Sequence, residues 1–182
     1  MAFLDLLIAK SESDATSLND DDIREEVDLS MFAGHDTTAS AMTWFLYCIA
    51  KHPKEQENVV DELEYIFGQS QRPCTTQDIT EMKYLECCIK ETLRLYPSVP
   101  AVMRTLTEEV QVGDYLIPAG VSVALMIYGM HRNSAFHDDP DTFKPERFLP
   151  EHNNDRHPFS FVPFSAGPRN CIGASFIQIS TH

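Results

Sequence analysis

Cys171 stands where a cysteine's chemistry changes. It follows the run Phe164-Ser-Ala-Gly167-Pro168-Arg169-Asn170 and precedes Ile172-Gly173, where a helix is expected to begin before the sequence stops. The first turn of a helix offers unpaired N–H groups and partial positive charge, which favour a thiolate over a thiol. Arg169, two residues upstream, adds a full positive charge. Gly167 and Gly173 permit tight turns and close approach of backbone to a flat ligand. Phe164 can lay an apolar ring over the sulfur. These residues alone describe a reactive or metal-ligating cysteine, or else a buried cysteine after a loop. Cys48, Cys87 and Cys88 lack this setting and read as core fillers. Five cysteines with no C-x-x-C pair fit a reducing compartment.

Other residues have spacings that matter. Glu91-Thr-Leu-Arg94 puts a carboxylate and a guanidinium on one helix face. Such a pair belongs either to a solvated surface or to a buried network. Gly34, Thr37, Thr38 and Ala41 share another helix face, where the missing side chain at Gly34 leaves a small groove beside hydroxyls. The alternative is that those hydroxyls bond their own helix backbone. His152 and His157 lie in Glu-His-Asn-Asn-Asp-Arg-His, a zinc or iron site on one reading and a solvated loop on the other; the polar run fits the loop. His131 and Arg132 offer no more than a loop hydrogen bond.

The elements that must position these groups follow from periodicity. Residues 1–9 are apolar apart from Asp5 and read as a short buried helix. Residues 10–22 are polar and acidic, an exposed linker ending in helix-capping residues. A proline-free helical pattern runs from about Asp20 to Lys51, with acidic residues in its first turns where they complement the helix dipole. At 1.5 Å per residue it would be roughly 45 Å long. Its second half, ASAMTWFLYCIA, is apolar nearly all round and is expected to be buried on most sides. An amphipathic helix follows over about Pro53 to Phe67, and a third over about Thr80 to Tyr96. Residues 101–126 switch to strand-like segments with turns at Gly113-Asp114 and Pro118-Ala119-Gly120. From Tyr128 to Phe164 the chain is irregular, as expected of a stretch pinned by side chains or used for function. The fold class is mainly α with a small β-sheet region, an α+β arrangement.

Composition removes several function classes. Of 182 residues, 43% are apolar and 23% charged, which excludes wholesale disorder. A net charge of −14 argues against nucleic acid or anionic lipid as the partner of the whole surface. No apolar run has the length of a membrane span.

The segment F-x-x-G-x-R-x-C-x-G around Cys171 resembles the haem-ligand loop of the cytochromes P450. Three more segments match that family in order: Ala33-Gly34-His35-Asp36-Thr37-Thr38, Glu91-Thr-Leu-Arg94 and Pro145-Glu146-Arg147-Phe148. The wording AGHDTTAS and PFSAGPRNCIG is most similar to the branch of fatty-acid omega-hydroxylases and their insect relatives. The resemblance covers residues 1–182 as part of one domain, the C-terminal half of the family's fold. Within it fall a long central helix about 20–51, the Glu-x-x-Arg helix about 80–96, a β region 101–126, and an irregular segment with the cysteine loop over 127–173.

What the resemblance implies is specific. Cys171 would be the axial thiolate of haem b, with Phe164, Gly167, Gly173 and Gly34 shaping the haem site. Arg169 and Arg104 would hold the haem propionates. Asp36 and Thr37 would relay protons to dioxygen, and Glu91, Arg94 and Arg147 would form a structural network behind the haem. Cys171 is expected to face Gly34 and Thr37 across a haem-sized gap. Ala33 stands where relatives have a glutamate that becomes ester-linked to haem, so the haem is expected to be non-covalent. The implied activity is a monooxygenase inserting one oxygen atom from O2 into an apolar substrate: a fatty acid, hormone or xenobiotic. Val99, Pro100, Ala101 and Val102 would line its pocket. NADPH-cytochrome P450 reductase is the implied partner. The cytosolic face of the endoplasmic reticulum membrane is the implied place of a full-length parent, whose N-terminal anchor this chain lacks. The alternative is a non-catalytic truncated product unable to hold haem.

Overall fold

A computed structural model describes residues 3–13, 18–152 and 157–174. The chain divides into two compact units, residues 1–39 and 40–182. In the first, helix α1 (Phe3–Ser13) buries no residue, and Phe3, Leu4, Leu6 and Ile8 are all exposed. The buried helix expected over residues 1–9 is therefore corrected: it forms, extends into the expected linker, and presents its apolar side chains outward.

Helix α2 (Asp20–Lys51) is preceded by Asn19, which caps it. The Asn19 Oδ1 accepts from the N–H groups of Asp21 and Asp22 at 2.8 and 3.0 Å, while Asp22 Oδ2 accepts from Asn19 N–H at 2.9 Å. This reciprocal pairing satisfies donors that a helix start leaves bare. At the other end His52 Nδ1 donates to the Cys48 carbonyl at 2.7 Å, and Pro53 starts helix α3 (Pro53–Phe67).

The expectation that the second half of α2 is covered on most sides is not met. Only Ala41, Cys48 and Ile49 of the helix are buried, whereas Met42, Leu46 and Tyr47 are exposed. One face alone meets the core, and a hollow lined by Met42, Phe45, Ile89 and Leu93 keeps part of that face from sealing. Trp44 covers one side of its ring by stacking on Tyr96 at 4.3 Å.

The third helix is really two. Helix α4 (Thr76–Glu81) is started by Thr75, whose hydroxyl accepts from Asp78 N–H while the Asp78 carboxylate accepts from Thr75 N–H. Met82 breaks the helix at ψ 64°, and α5 (Lys83–Leu95) follows. Glu62 of α3 reaches across to accept from the N–H groups of Tyr84 and Leu85 at 2.7 and 2.9 Å, so α5 is capped by a neighbouring helix. The core gathers around α5: Leu85, Cys88, Ile89, Leu93 and Leu95 pack with Val59, Phe143 and the buried face of α2.

Two antiparallel strand pairs follow. β1 (Val102–Thr105) pairs with β4 (Ser122–Leu125) in the register Arg104 opposite Val123, and β2 (Val110–Val112) pairs with β3 (Tyr115–Ile117). Short helix α6 (Ile127–His131) then opens the expected irregular segment, which also contains 3-10 turns at Pro145–Phe148 and Pro158–Ser160.

Candidate haem-thiolate site

The site is built outward from α5. Glu91 and Arg94 lie three residues apart and are both fully buried. Arg94 Nε and Nη2 donate to the two carboxylate oxygens of Glu91 at 2.7 and 2.8 Å, the planar fork that suits a carboxylate. Arg147 Nε donates to Glu91 Oε1 at 3.0 Å, and Lys144 N–H donates to the same oxygen at 2.9 Å. One buried carboxylate thus receives donors from two guanidiniums. Main-chain carbonyls take further donors: Arg94 donates to those of His131, Pro140 and Thr142, and Arg147 to that of Asp139. These bonds hold the path of residues 131–147. An irregular segment acquires one conformation because its carbonyls are the counter-dipoles of buried arginines.

Cys171 hangs from the end of that segment. Its N–H donates to the Phe164 carbonyl at 2.9 Å, closing the loop, and Ser165 N–H donates to the Val162 carbonyl at 3.0 Å. Gly167 takes φ +80° inside the loop, a conformation natural only to glycine. Ser165 takes φ +61°, a strained value for a residue with a side chain. Phe164 is half-buried and its ring packs on the core around α5, so the loop is anchored at its base while Cys171 stays partly exposed. Gly173 lies in the turn just past the cysteine, and the helix expected beyond it falls outside the described residues.

The three buried cysteines differ in kind. Burial pushes the thiols of Cys48 and Cys87 up to about 11 and raises that of Cys88 as well, which makes all three inert at neutral pH.

Arg104 and Arg169 are neighbours. Arg104, on β1, directs Nη2 to the Arg169 carbonyl at 3.4 Å, so two guanidinium-bearing residues sit beside the cysteine loop. A thiol donor on a glycine-shaped loop with two adjacent arginines suits a flat, dicarboxylate-bearing cofactor with a metal centre. The donor set fits haem.

In the first unit, Gly34, Asp36 and Thr37 lie on α2. Apart from its own helix backbone, no atom among the described residues lies within 4 Å of where a Cβ on Gly34 would stand. Thr37 Oγ1 donates to the Ala33 carbonyl at 2.6 Å, the helix-backbone bond that residue type favours. Asp36 is exposed and lies 3.3 Å from His35 Nδ1. The Thr38 hydroxyl is occluded with no hydrogen-bond partner among the described residues, on the helix face it shares with Gly34 and Ala41. Val99 is 37% exposed. His157 Nδ1 accepts from Phe159 N–H, and no group of three His, Cys, Asp or Glu side chains that could hold a metal occurs among the described residues.

Two residues without a sequence signal proved central. His131 is fully buried; its Nε2 accepts from Val162 N–H at 2.9 Å and its carbonyl accepts from Arg94. Arg132 donates to the last carbonyl of α5, at Leu95, and lies over the Tyr128 ring at 4.7 Å.

The family model "Cytochrome P450" matches residues 1–179. Cytochrome P450 4V2 of Mus musculus is 50% identical over 175 residues, which is 96% of this chain and 33% of that protein. Cytochrome P450 4c3 of Drosophila melanogaster is 51% identical over 177 residues, 97% of this chain and 33% of that protein. Cytochrome P450 4B1 of Homo sapiens is 48% identical over 175 residues, 96% of this chain and 34% of that protein. The chain spans about a third of the length of these relatives. With its cysteine loop, buried Glu-Arg-Arg network and match along nearly all its residues, the chain belongs to the cytochrome P450 family.

Proposed function

We propose that this chain carries the thiolate and the proximal framework of a haem monooxygenase that inserts one atom of O2 into an apolar substrate. The observation that carries the reading is the cysteine loop: Cys171 is tied by its own N–H to Phe164, and that loop issues from a segment held by the buried network. When bound, haem supplies dioxygen activation, which thiolate ligation favours by donating electron density to the iron. Cys171 would give its sulfur to the iron, while Arg104 and Arg169 would bind carboxylates with planar forks. Asp36, being exposed, would exchange its proton with solvent and pass it toward Thr37, whose Oγ1 would orient it. Gly34 would leave room beside them. With Ala33 in place of glutamate no ester link forms, so acid solvent should extract all the haem. A fatty acid, hormone or xenobiotic fits the apolar Val99, Ala101 and Val102.

Electrons would come from NADPH-cytochrome P450 reductase at the cytosolic face of the endoplasmic reticulum. No helix among the described residues is long and apolar enough to cross a membrane. A second reading, a non-catalytic product that holds haem poorly, is favoured by the exposed apolar residues Met31, Phe32 and Leu46. One experiment separates the two: add haem, reduce it and record the carbon monoxide difference spectrum. A red-shifted thiolate band that vanishes in Cys171→Ser supports the first reading; no band supports the second.

A further inference from the structure

Backbone segment 160–162, just before the cysteine loop, is gripped by two buried histidines. The Ser160 carbonyl can only accept, so His137, 3% exposed, donates to it from Nε2 at 3.1 Å. The Val162 N–H can only donate, so His131 Nε2 is unprotonated and its proton sits on Nδ1. Between these two anchors the Phe161 ring lies against His131 at 5.2 Å and against Phe148 at 4.7 Å. Val162 in turn accepts from Ser165, and Phe164 accepts from Cys171. A continuous hydrogen-bonded path therefore runs from Arg94 through the main chain and ring of His131 to Val162, and from there into the cysteine loop.

We propose that His131 is a positioning residue for Cys171, its neutral Nε2 fixing the backbone from which the cysteine loop hangs and its carbonyl coupling that loop to the buried Glu91-Arg94-Arg147 network. The proposal rests on the reading of Cys171 as the thiolate ligand. Loss of the Nε2 acceptor leaves the Val162 N–H unsatisfied next to Phe161 and frees the loop to sample other positions. The sulfur then spends part of its time displaced, more accessible and less firmly ligated.

The test compares His131→Leu, which keeps bulk but no acceptor, with His131→Gln, whose amide oxygen can replace Nε2, each in the full chain. Without haem, alkylation at Cys171 is followed by peptide mass spectrometry. Losing one buried hydrogen bond should speed it about five- to tenfold in His131→Leu, and His131→Gln should restore the slow rate. With haem and carbon monoxide, the folded fraction of His131→Leu should show part of its absorption at the neutral-thiol position. A residue that served stability alone would leave that proportion unchanged. Equal alkylation rates in both variants and the unmodified chain would overturn the proposal. Should His131→Leu not fold, the Val162 amide of the unmodified chain decides: exchange as slow as that of α5 amides supports the proposal, and exchange as fast as an open loop refutes it. Persistence of the thiolate band in Cys171→Ser would defeat the ligand reading, while the alkylation comparison would still judge the role of His131.

Discussion

At the scale of single residues, the charge balance behind the cysteine loop makes the sharpest demands. Glu91 answers two guanidiniums, so Glu91→Gln removes the carboxylate to which both donate and should cost about 3–5 kcal/mol. That is a large share of the roughly 5–15 kcal/mol that keeps an ordinary protein folded. Urea denaturation should show the midpoint fall steeply or the transition vanish; Arg147→Lys, which keeps the charge and loses the fork, should fall less. His131 makes a second demand, on pH. Burial first, and His137 next, lower its imidazole from 6.5 to about 4, while carbonyls of Leu93 and Arg94 pull the other way. The unfolded chain binds a proton near pH 6.5 that the folded chain refuses. Stability from this group is therefore complete above pH 6.5 and drains away as pH falls toward 4, by about 3 kcal/mol at most. Melting temperatures across that window should decline in the unmodified chain and decline less in His131→Gln; parallel slopes would contradict this account.

At the scale of elements, the hydrogen bonds that begin each helix decide where it lies. Thr75→Ala removes the hydroxyl that accepts from Asp78 N–H and should destabilise the chain by about 1 kcal/mol, with the loss confined to α4 in amide exchange. Helices α2 and α3 are legible in the sequence because no proline interrupts the first and Pro53 marks the boundary between them. The break at Met82 is not, since a helical pattern over 80–96 tolerates it. What enforces the break is Glu62, 22 residues upstream in sequence from Tyr84, capping α5 from the side. A pattern read along the chain cannot contain a bond made across it. The site shows the same division. Cys171, Gly167 and Arg169 announce themselves by type and spacing, and Glu91, Arg94 and Arg147 by matching known segments. His131 escapes notice because half its role is played by a carbonyl that every residue possesses. The expected cover over α2 failed for a related reason: apolar content says that a face prefers burial, not that a partner is at hand.

At the scale of the whole molecule, apolar surface left in water governs behaviour. Met31 and Phe32 are 68% and 67% exposed, and Leu46 is 64% exposed. Each such side chain forgoes most of the about 1.5–3 kcal/mol that full burial supplies, and exposed apolar patches of this kind promote association. The core around α5 must then hold the cysteine loop largely by itself. Residues 1–182 expressed alone should bind a hydrophobic dye, self-associate as concentration rises, and take up haem well below one per chain. With a reductase and an apolar substrate, turnover should be negligible, because few chains carry the haem that activates oxygen. Sedimentation measures the association, and reduction under carbon monoxide measures how much haem is thiolate-bound. A stoichiometric thiolate band with sustained turnover would show that the exposed faces of α2 are no handicap. A band that grows only when additional sequence is fused upstream would trace the deficit to those faces, with the cysteine loop and its ionic support competent from the start.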